Sequence, residues 1–172
     1  MTLVLGIDPG SVRLGYGLVK AAEGEIYYVE CGVISAPAKL SVGERLAEIG
    51  RDLEAVIAER RPDVVALEHG FVAVIRGKLQ QGALISSEAR GVARFLAARA
   101  GIEIADLAPA TVKKSVTGHG NADKVFVAKM VTRLLRLKTA PPADAADALA
   151  AAIVIARSRR TRAELADARA AG

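Results

Sequence analysis

Two short apolar runs that each stop at an acid constrain this chain most. Leu3-Val4-Leu5-Gly6-Ile7 leads straight into Asp8-Pro9-Gly10-Ser11, and Val64-Val65-Ala66-Leu67 leads into Glu68. A continuous apolar run of this length is the pattern of a strand buried on both faces, and Pro and Gly after the first are turn residues. Between the two runs, LGYGLVK at 14–20 and EIYYVECGVIS at 25–35 read as further strands joined by a turn at Glu23 and Gly24. The first three strands therefore form an antiparallel meander. Ser41 and Glu44 then have capping-box spacing, and Leu46, Ile49, Leu53, Val56 and Ile57 repeat at helical intervals until Pro62. A helix in that place lets the fourth strand return parallel to the first.

The remainder continues the alternation. A helix is expected from about Leu79 to Arg99, ended by Gly101, followed by a strand over IEIADLA at 102–108. Two helical segments, Thr111–Thr117 and Ala122–Leu137, flank the loop Gly118-His119-Gly120-Asn121, with Asn121 as the expected N-cap. After Pro141-Pro142 a last, alanine-rich helix runs from Asp144 to about Arg160. This order predicts an α/β fold with a five-stranded mixed sheet, three strands antiparallel and two parallel, flanked by helices. With 172 residues and no repeat or linker, one domain is expected over 1–157, followed by a basic tail at 158–172 that frays.

Charge narrows the class of partner. The formal net charge is +5, but residues 1–70 hold 7 Lys/Arg against 11 Asp/Glu, while residues 71–172 hold 17 against 8. The basic half is the expected anion-facing half. With 3 Tyr, 3 Phe and no Trp, an extended base-stacking platform is not expected, so phosphates would be the main handle on a nucleic acid. The lone Cys31 excludes an internal disulfide and reads as a small buried hydrophobe. No apolar run approaches the ~18 residues of a membrane span. Nothing at the start resembles an export signal, so a cytoplasmic location and no membrane partner are expected. There is no phosphate-binding loop, dinucleotide fingerprint or zinc motif.

Four acids sit where solubility does not require them. If the first and fourth strands are parallel neighbours, Asp8 and Glu68 emerge side by side at the carboxyl edge of the sheet, where α/β proteins place their sites. Asp144 and Asp147, at i and i+3, share one helix face that could cover them. Carboxylates so close repel one another unless cations hold them, and hard oxygen donors favour Mg²⁺ or Mn²⁺. Three of the acids also have a structural reading. Asp8 suits a turn, Asp144 an N-cap and Asp147 the first turn of a helix, whereas Glu68 has no evident structural benefit. His119, near Lys113, Lys114 and Lys124 in sequence, could meet a phosphate or be a surface histidine without function.

These segments resemble a known family. LGIDPGSVRLGYG at 5–17, ALEHGF at 66–71, EARGV at 88–92, VKKSVTGHGNADK at 112–124 and ADAADALAAAI at 143–153 are similar, in the same order, to the RuvC family of Holliday-junction resolvases. The likeness spans Leu3 to about Arg157. It implies a ribonuclease H-like fold, a homodimer, and Mg²⁺-dependent nicking of two like-polarity strands of four-way junction DNA, leaving 5′-phosphate and 3′-hydroxyl ends. It also implies that Asp8, Glu68, Asp144 and Asp147 are catalytic and hold two Mg²⁺ per site, with Mn²⁺ as a possible substitute. Lys113 and Lys124 match basic residues that contact junction DNA. Lys114 and His119 belong to the same basic stretch, and Phe71 matches an aromatic that enters the open junction. A core role is the competing reading for Phe71. RuvA and RuvB are the implied partners for branch migration.

The sequence departs from the pattern between Phe71 and Glu88, where VAVIRGKLQQGALISS is longer than expected and lacks the usual Asn-containing stretch. Glu88 stands in place of an expected glutamine. Two rival readings share these features: a ribonuclease H-like RNA-processing nuclease, and a junction-binding protein without catalysis.

Overall fold

The computed structural model describes the backbone of residues 1–68, 74–75, 78–79 and 81–170, and the side chains of 1–68 and 84–159. Strands β1 (Thr2–Asp8), β2 (Arg13–Ala22) and β3 (Glu25–Ser35) precede helix α1 (Val42–Arg60) and strand β4 (Val64–Glu68). The two-residue strands β5 (Val74–Ile75) and β6 (Lys78–Leu79) pair with each other. There follow α2 (Gln81–Arg99), β7 (Glu103–Leu107), α3 (Pro109–Thr117), α4 (Lys124–Leu134) and α5 (Ala143–Ala170). The main sheet has five strands in the order β3-β2-β1-β4-β7. β1 is antiparallel to β2 and β2 to β3, whereas β4 is parallel to both β1 and β7. The expected ribonuclease H-like sheet is therefore present, and its central strand is the apolar run that ends in Asp8.

Both sides of the sheet are covered. Leu5, Ile7, Leu14, Leu18, Val65 and Leu67 point into a core with Ile49 and Leu53 of α1 and Ala93 and Leu96 of α2. Val4, Val19, Val64 and Ala66 face the other core, with Val112, Val127, Val131 and the α5 residues Leu149 and Ile153. Burial of neighbouring β1 residues on opposite sides explains the unbroken apolar run. The placement of α5 depends on glycine. A Cβ at Gly6 would lie 1.9 Å from the Ala148 carbonyl oxygen, and one at Gly15 would lie 2.0 Å from the Asp144 carbonyl oxygen. Only bare backbone lets the start of α5 lie directly on β1 and β2.

Several helix ends differ from expectation. The α1 capping box of Ser41 and Glu44 is formed. In α4, however, the N-cap is Asp123, whose carboxylate accepts from the Phe126 amide at 2.7 Å, and not Asn121. Both residue types cap well, and the one followed by helix-forming Lys-Val-Phe-Val prevails. α4 stops at Leu134, with Arg136 at φ +52°, before the expected end at Leu137. α2 begins at Gln81 because Leu79 is used by β6. Asp144 is not an N-cap, since α5 already begins at Ala143. That helix continues to Ala170, past its expected end near Arg160, because Ala, Arg, Glu and Leu are good helix formers and no Gly or Pro interrupts them before Gly172. Cys31 is half-buried on β3, where its Sγ accepts from the Tyr28 hydroxyl at 3.6 Å. Among the described residues, no helix is long and apolar enough to cross a membrane.

Candidate active site

The parallel register pairs Ile7 with Leu67, so Asp8 and Glu68 leave adjacent strands at the same edge of the sheet. Asp147, one turn into α5, comes to the same place because α5 packs on β1 and β2. Asp8, Glu68 and Asp147 line one small cavity of about 190 Å³, together with Lys113, Lys124, Pro109, Val112 and Val127. Two larger hollows have none of these acids in their walls. One, of about 690 Å³, is bounded by the ends of α1 and α2, and the other, of about 650 Å³, runs beside α4.

The electrostatics of the cavity are those of carboxylates short of counter-charge. Burial, followed by repulsion from Asp147 and with partial relief from Lys124, pushes the Asp8 carboxyl up from 3.8 to about 6. Glu68 is also raised, first by burial and then by Asp147, while Lys113, Lys124 and Arg90 oppose the shift. Lys124 Nζ lies 2.9 Å from Asp147 Oδ2, and this contact holds the ammonium above its ordinary range. Asp144 is not among the residues that line the cavity; its Oδ2 accepts from Arg13 Nε at 2.8 Å. Arg90 of α2 donates from Nε to the Glu68 carbonyl oxygen at 2.9 Å, fixing the end of β4. Burial lowers the Arg90 pKa.

The structure thus brings together three of the four acids with Lys113 and Lys124, and places the fourth one turn away on the same helix. Lys114 is exposed on α3 and does not line the cavity. His119 is exposed in the α3–α4 loop, where its amide donates to Thr117 Oγ1 at 3.0 Å. Phe71 lies outside the described residues. Sequence reasoning missed Arg13 and Arg90. Both lie in segments already noted, but a cation beside a turn or on a helix gives no signal of which carboxylate or carbonyl it reaches.

The sequence profile described as "Crossover junction endodeoxyribonuclease RuvC" matches residues 4–155. The chain belongs to this RuvC family. The protein of that name from Halorhodospira halophila is 44% identical over 159 residues, covering 92% of each chain. The solved "Thermus thermophilus RuvC structure" superimposes with a TM-score of 0.77 at 33% identity, covering 91% of this chain and 95% of that one. "T. thermophilus RuvC in complex with Holliday junction substrate" gives a TM-score of 0.81 at 32% identity, covering 94% and 96%. The RuvC likeness extends through every element that carries an acid, including the α5 turn with Asp144 and Asp147.

Proposed function

We propose that this chain is a structure-selective endodeoxyribonuclease that resolves Holliday junctions by symmetric nicking of two strands of like polarity. The observation that carries this reading is the small cavity in which Asp8, Glu68 and Asp147 meet Lys113 and Lys124. Burial and repulsion from Asp147 raise the Asp8 and Glu68 carboxyls, which a cation would relieve, and the adjoining lysines suit the phosphates of a bound strand.

The donor chemistry suits a hard divalent ion, although among the described residues no three such side chains are already drawn together as a metal site. All four acids offer carboxylate oxygens, and the mutual repulsion of Asp8, Glu68 and Asp147 would be relieved by a cation among them. In this reading Asp8, Glu68, Asp144 and Asp147 hold two Mg²⁺, with Mn²⁺ as a substitute. Such ions supply Lewis-acid stabilisation of the phosphodiester and a water of lowered pKa, leaving 5′-phosphate and 3′-hydroxyl ends. The protein's own task is positioning. Lys113 and Lys124, at the cavity wall, orient a phosphate against the acids, and Arg90 keeps the end of β4 in register. Lys114 and His119 extend the cationic surface over the α3–α4 loop, and Phe71 enters the open junction.

Two matched cuts call for two copies of the site, so the acting form is a homodimer. The outer face of α2 supports it. Leu84, Gly91 and Phe95 lie along one stripe, Leu84 and Phe95 are exposed, and among the described residues a Cβ at Gly91 would meet nothing within 4 Å beyond its own helix. RuvA and RuvB, supplying branch migration, are the proposed partners, tested by co-purification on junction DNA.

The deciding experiment incubates the protein with a mobile four-way junction and Mg²⁺. Paired nicks at symmetric positions, ligatable by DNA ligase, are expected, with little cutting of linear duplex. Cleavage of structured RNA in preference to the junction would identify an RNA-processing nuclease instead. Junction binding with no metal-stimulated cleavage would identify a non-catalytic binder.

A further inference from the structure

Asp144 and Asp147 are three residues apart on one helix face, yet only Asp147 lines the acid cavity. Asp144 is engaged instead by Arg13. Its Nε lies 2.8 Å from Asp144 Oδ2, with the arginine side chain 57% exposed and the aspartate 25% exposed. Backbone packing holds the two partners in reach. A Cβ at Gly15 would collide with the Asp144 carbonyl oxygen at 2.0 Å, so the start of β2 is seated on the first turn of α5. A Cβ at Gly10 would collide with the Arg13 carbonyl oxygen at 2.2 Å, so the turn that follows Asp8 closes onto Arg13 from the other side. The same turn thus carries one acid of the cavity and presents the cation that engages another.

We propose that Arg13 is a positioning residue that holds Asp144 off the cavity in the metal-free protein, and that divalent-cation binding must break this pair to recruit Asp144. The proposal rests on the four acids being metal ligands. Arginine suits the task because it stays charged at any working pH, and thus occupies Asp144 whenever the carboxylate is ionised. An ion pair this exposed is weak, so it orients the carboxylate without competing seriously against a divalent ion. Lys124 does the same to Asp147, but it stands at the cavity wall where a phosphate also arrives. Arg13 is not among the residues that line the cavity.

The test is calorimetric titration of Mn²⁺ into the full chain without DNA, for wild type, Arg13→Gln, Arg13→Lys, Asp144→Asn and the Arg13→Gln/Asp144→Asn double variant. Arg13→Gln should bind Mn²⁺ roughly twofold to fivefold more tightly than wild type, the range set by an exposed pair, and Arg13→Lys should return towards wild type. In the Asp144→Asn background, Arg13→Gln should change affinity no further, since the pair is already gone. Circular dichroism and melting temperature establish that each variant is folded. Unchanged or weaker Mn²⁺ binding by a folded Arg13→Gln overturns the proposal, as does an equal gain with and without Asp144. Absence of Mn²⁺ binding by wild type also overturns it. Junction cleavage by the same wild-type sample separates the two readings: if cleavage is intact, the Arg13 proposal fails alone, and if cleavage is absent as well, the metal-nuclease reading fails with it.

Discussion

The four acids form two pairs that the fold treats differently. Asp8 and Glu68 are carried by adjacent parallel strands, and among the described residues neither has an ion-pair partner within 4 Å. Asp144 and Asp147 are carried by α5, and each holds a cationic side chain, Arg13 and Lys124 respectively. The strand pair is placed by the sheet and pays for its position by desolvation, which raises both carboxyls. The helix pair is placed by packing of α5 on Gly6 and Gly15, and is neutralised by neighbours that can let go. If the four acids hold metal as proposed, the strand acids are open to a cation, whereas the helix acids must exchange one.

The largest expected effect treats the pairs alike. Asp8→Asn and Asp147→Asn should each lower junction cleavage by at least about a thousandfold, because metal-based stabilisation is worth several kcal/mol and each tenfold costs about 1.4 kcal/mol. Gel-shift affinity for the junction should persist, since the basic surface is untouched. Retained cleavage in either variant would remove that acid from the site, and loss of both binding and cleavage would point to a folding defect.

Gly15→Ala would disturb one pair and not the other. The new methyl group meets the Asp144 backbone, so α5 must shift while β1 and β4 keep Asp8 and Glu68 in place. A stability loss of about 3 kcal/mol in urea denaturation is expected from overpacking against backbone that cannot yield cheaply. Cleavage of the folded fraction should fall more than junction binding. A variant of wild-type stability and activity would mean that the helix acids do not depend on this contact.

Metal-free stability should separate the pairs by size of effect. The Asp8 carboxyl has a folded pKa of about 6 against an ordinary 3.8, so the unfolded chain releases its proton first. The stability from this group is therefore full below about pH 4 and lost as pH rises through about 6. Asp8→Asn removes that loss. In EDTA at pH 8 it should be more stable than wild type by about 3 kcal/mol, with the difference nearly closed at pH 4, as measured by urea denaturation. Asp147→Asn should gain less, because the relief of its repulsion on Asp8 and Glu68 is offset by the loss of the Lys124 partner. Equal behaviour of the two variants would erase the distinction between strand and helix acids. Metal affinity of the wild type should correspondingly rise with pH through about 6, because a ligand must lose its proton to bind.

Which of these features could be read from sequence follows from their physical origin. Asp8 and Glu68 stand out because an apolar run that ends in an acid reports a buried strand and its exit together. Asp144 and Asp147 stand out because their spacing defines a shared helix face. The cations that hold the helix acids do not. Arg13 reaches Asp144 only through the β1–β2 hairpin and the seating of α5, a contact across 131 positions that no local pattern encodes. Asn121 and Asp123 are both good capping residues, and periodicity cannot choose between them when the helix face begins at Val127. The run from Arg160 to Ala170 reads as a charged tail because it has no apolar stripe, although its residues favour helix individually.

The smallest effect compares two lysines outside the acids themselves. Lys114 is exposed on α3 away from the cavity, whereas Lys124 touches Asp147 inside it. If Lys114 meets only a junction phosphate, Lys114→Gln should weaken binding modestly at low salt and reduce the slope of log affinity against log salt by about 0.9, with the rate of cleavage of bound junction unchanged. If the Lys124 ammonium orients the phosphate while offsetting the charge on Asp147, Lys124→Gln should lower the slope similarly and also slow the cleavage of bound junction. Single-turnover rates at saturating protein separate the two quantities. A matching rate loss in both variants would place Lys114 at the cavity after all. No rate loss in either would reduce Lys124 to a binding residue and leave positioning of the phosphate to Lys113.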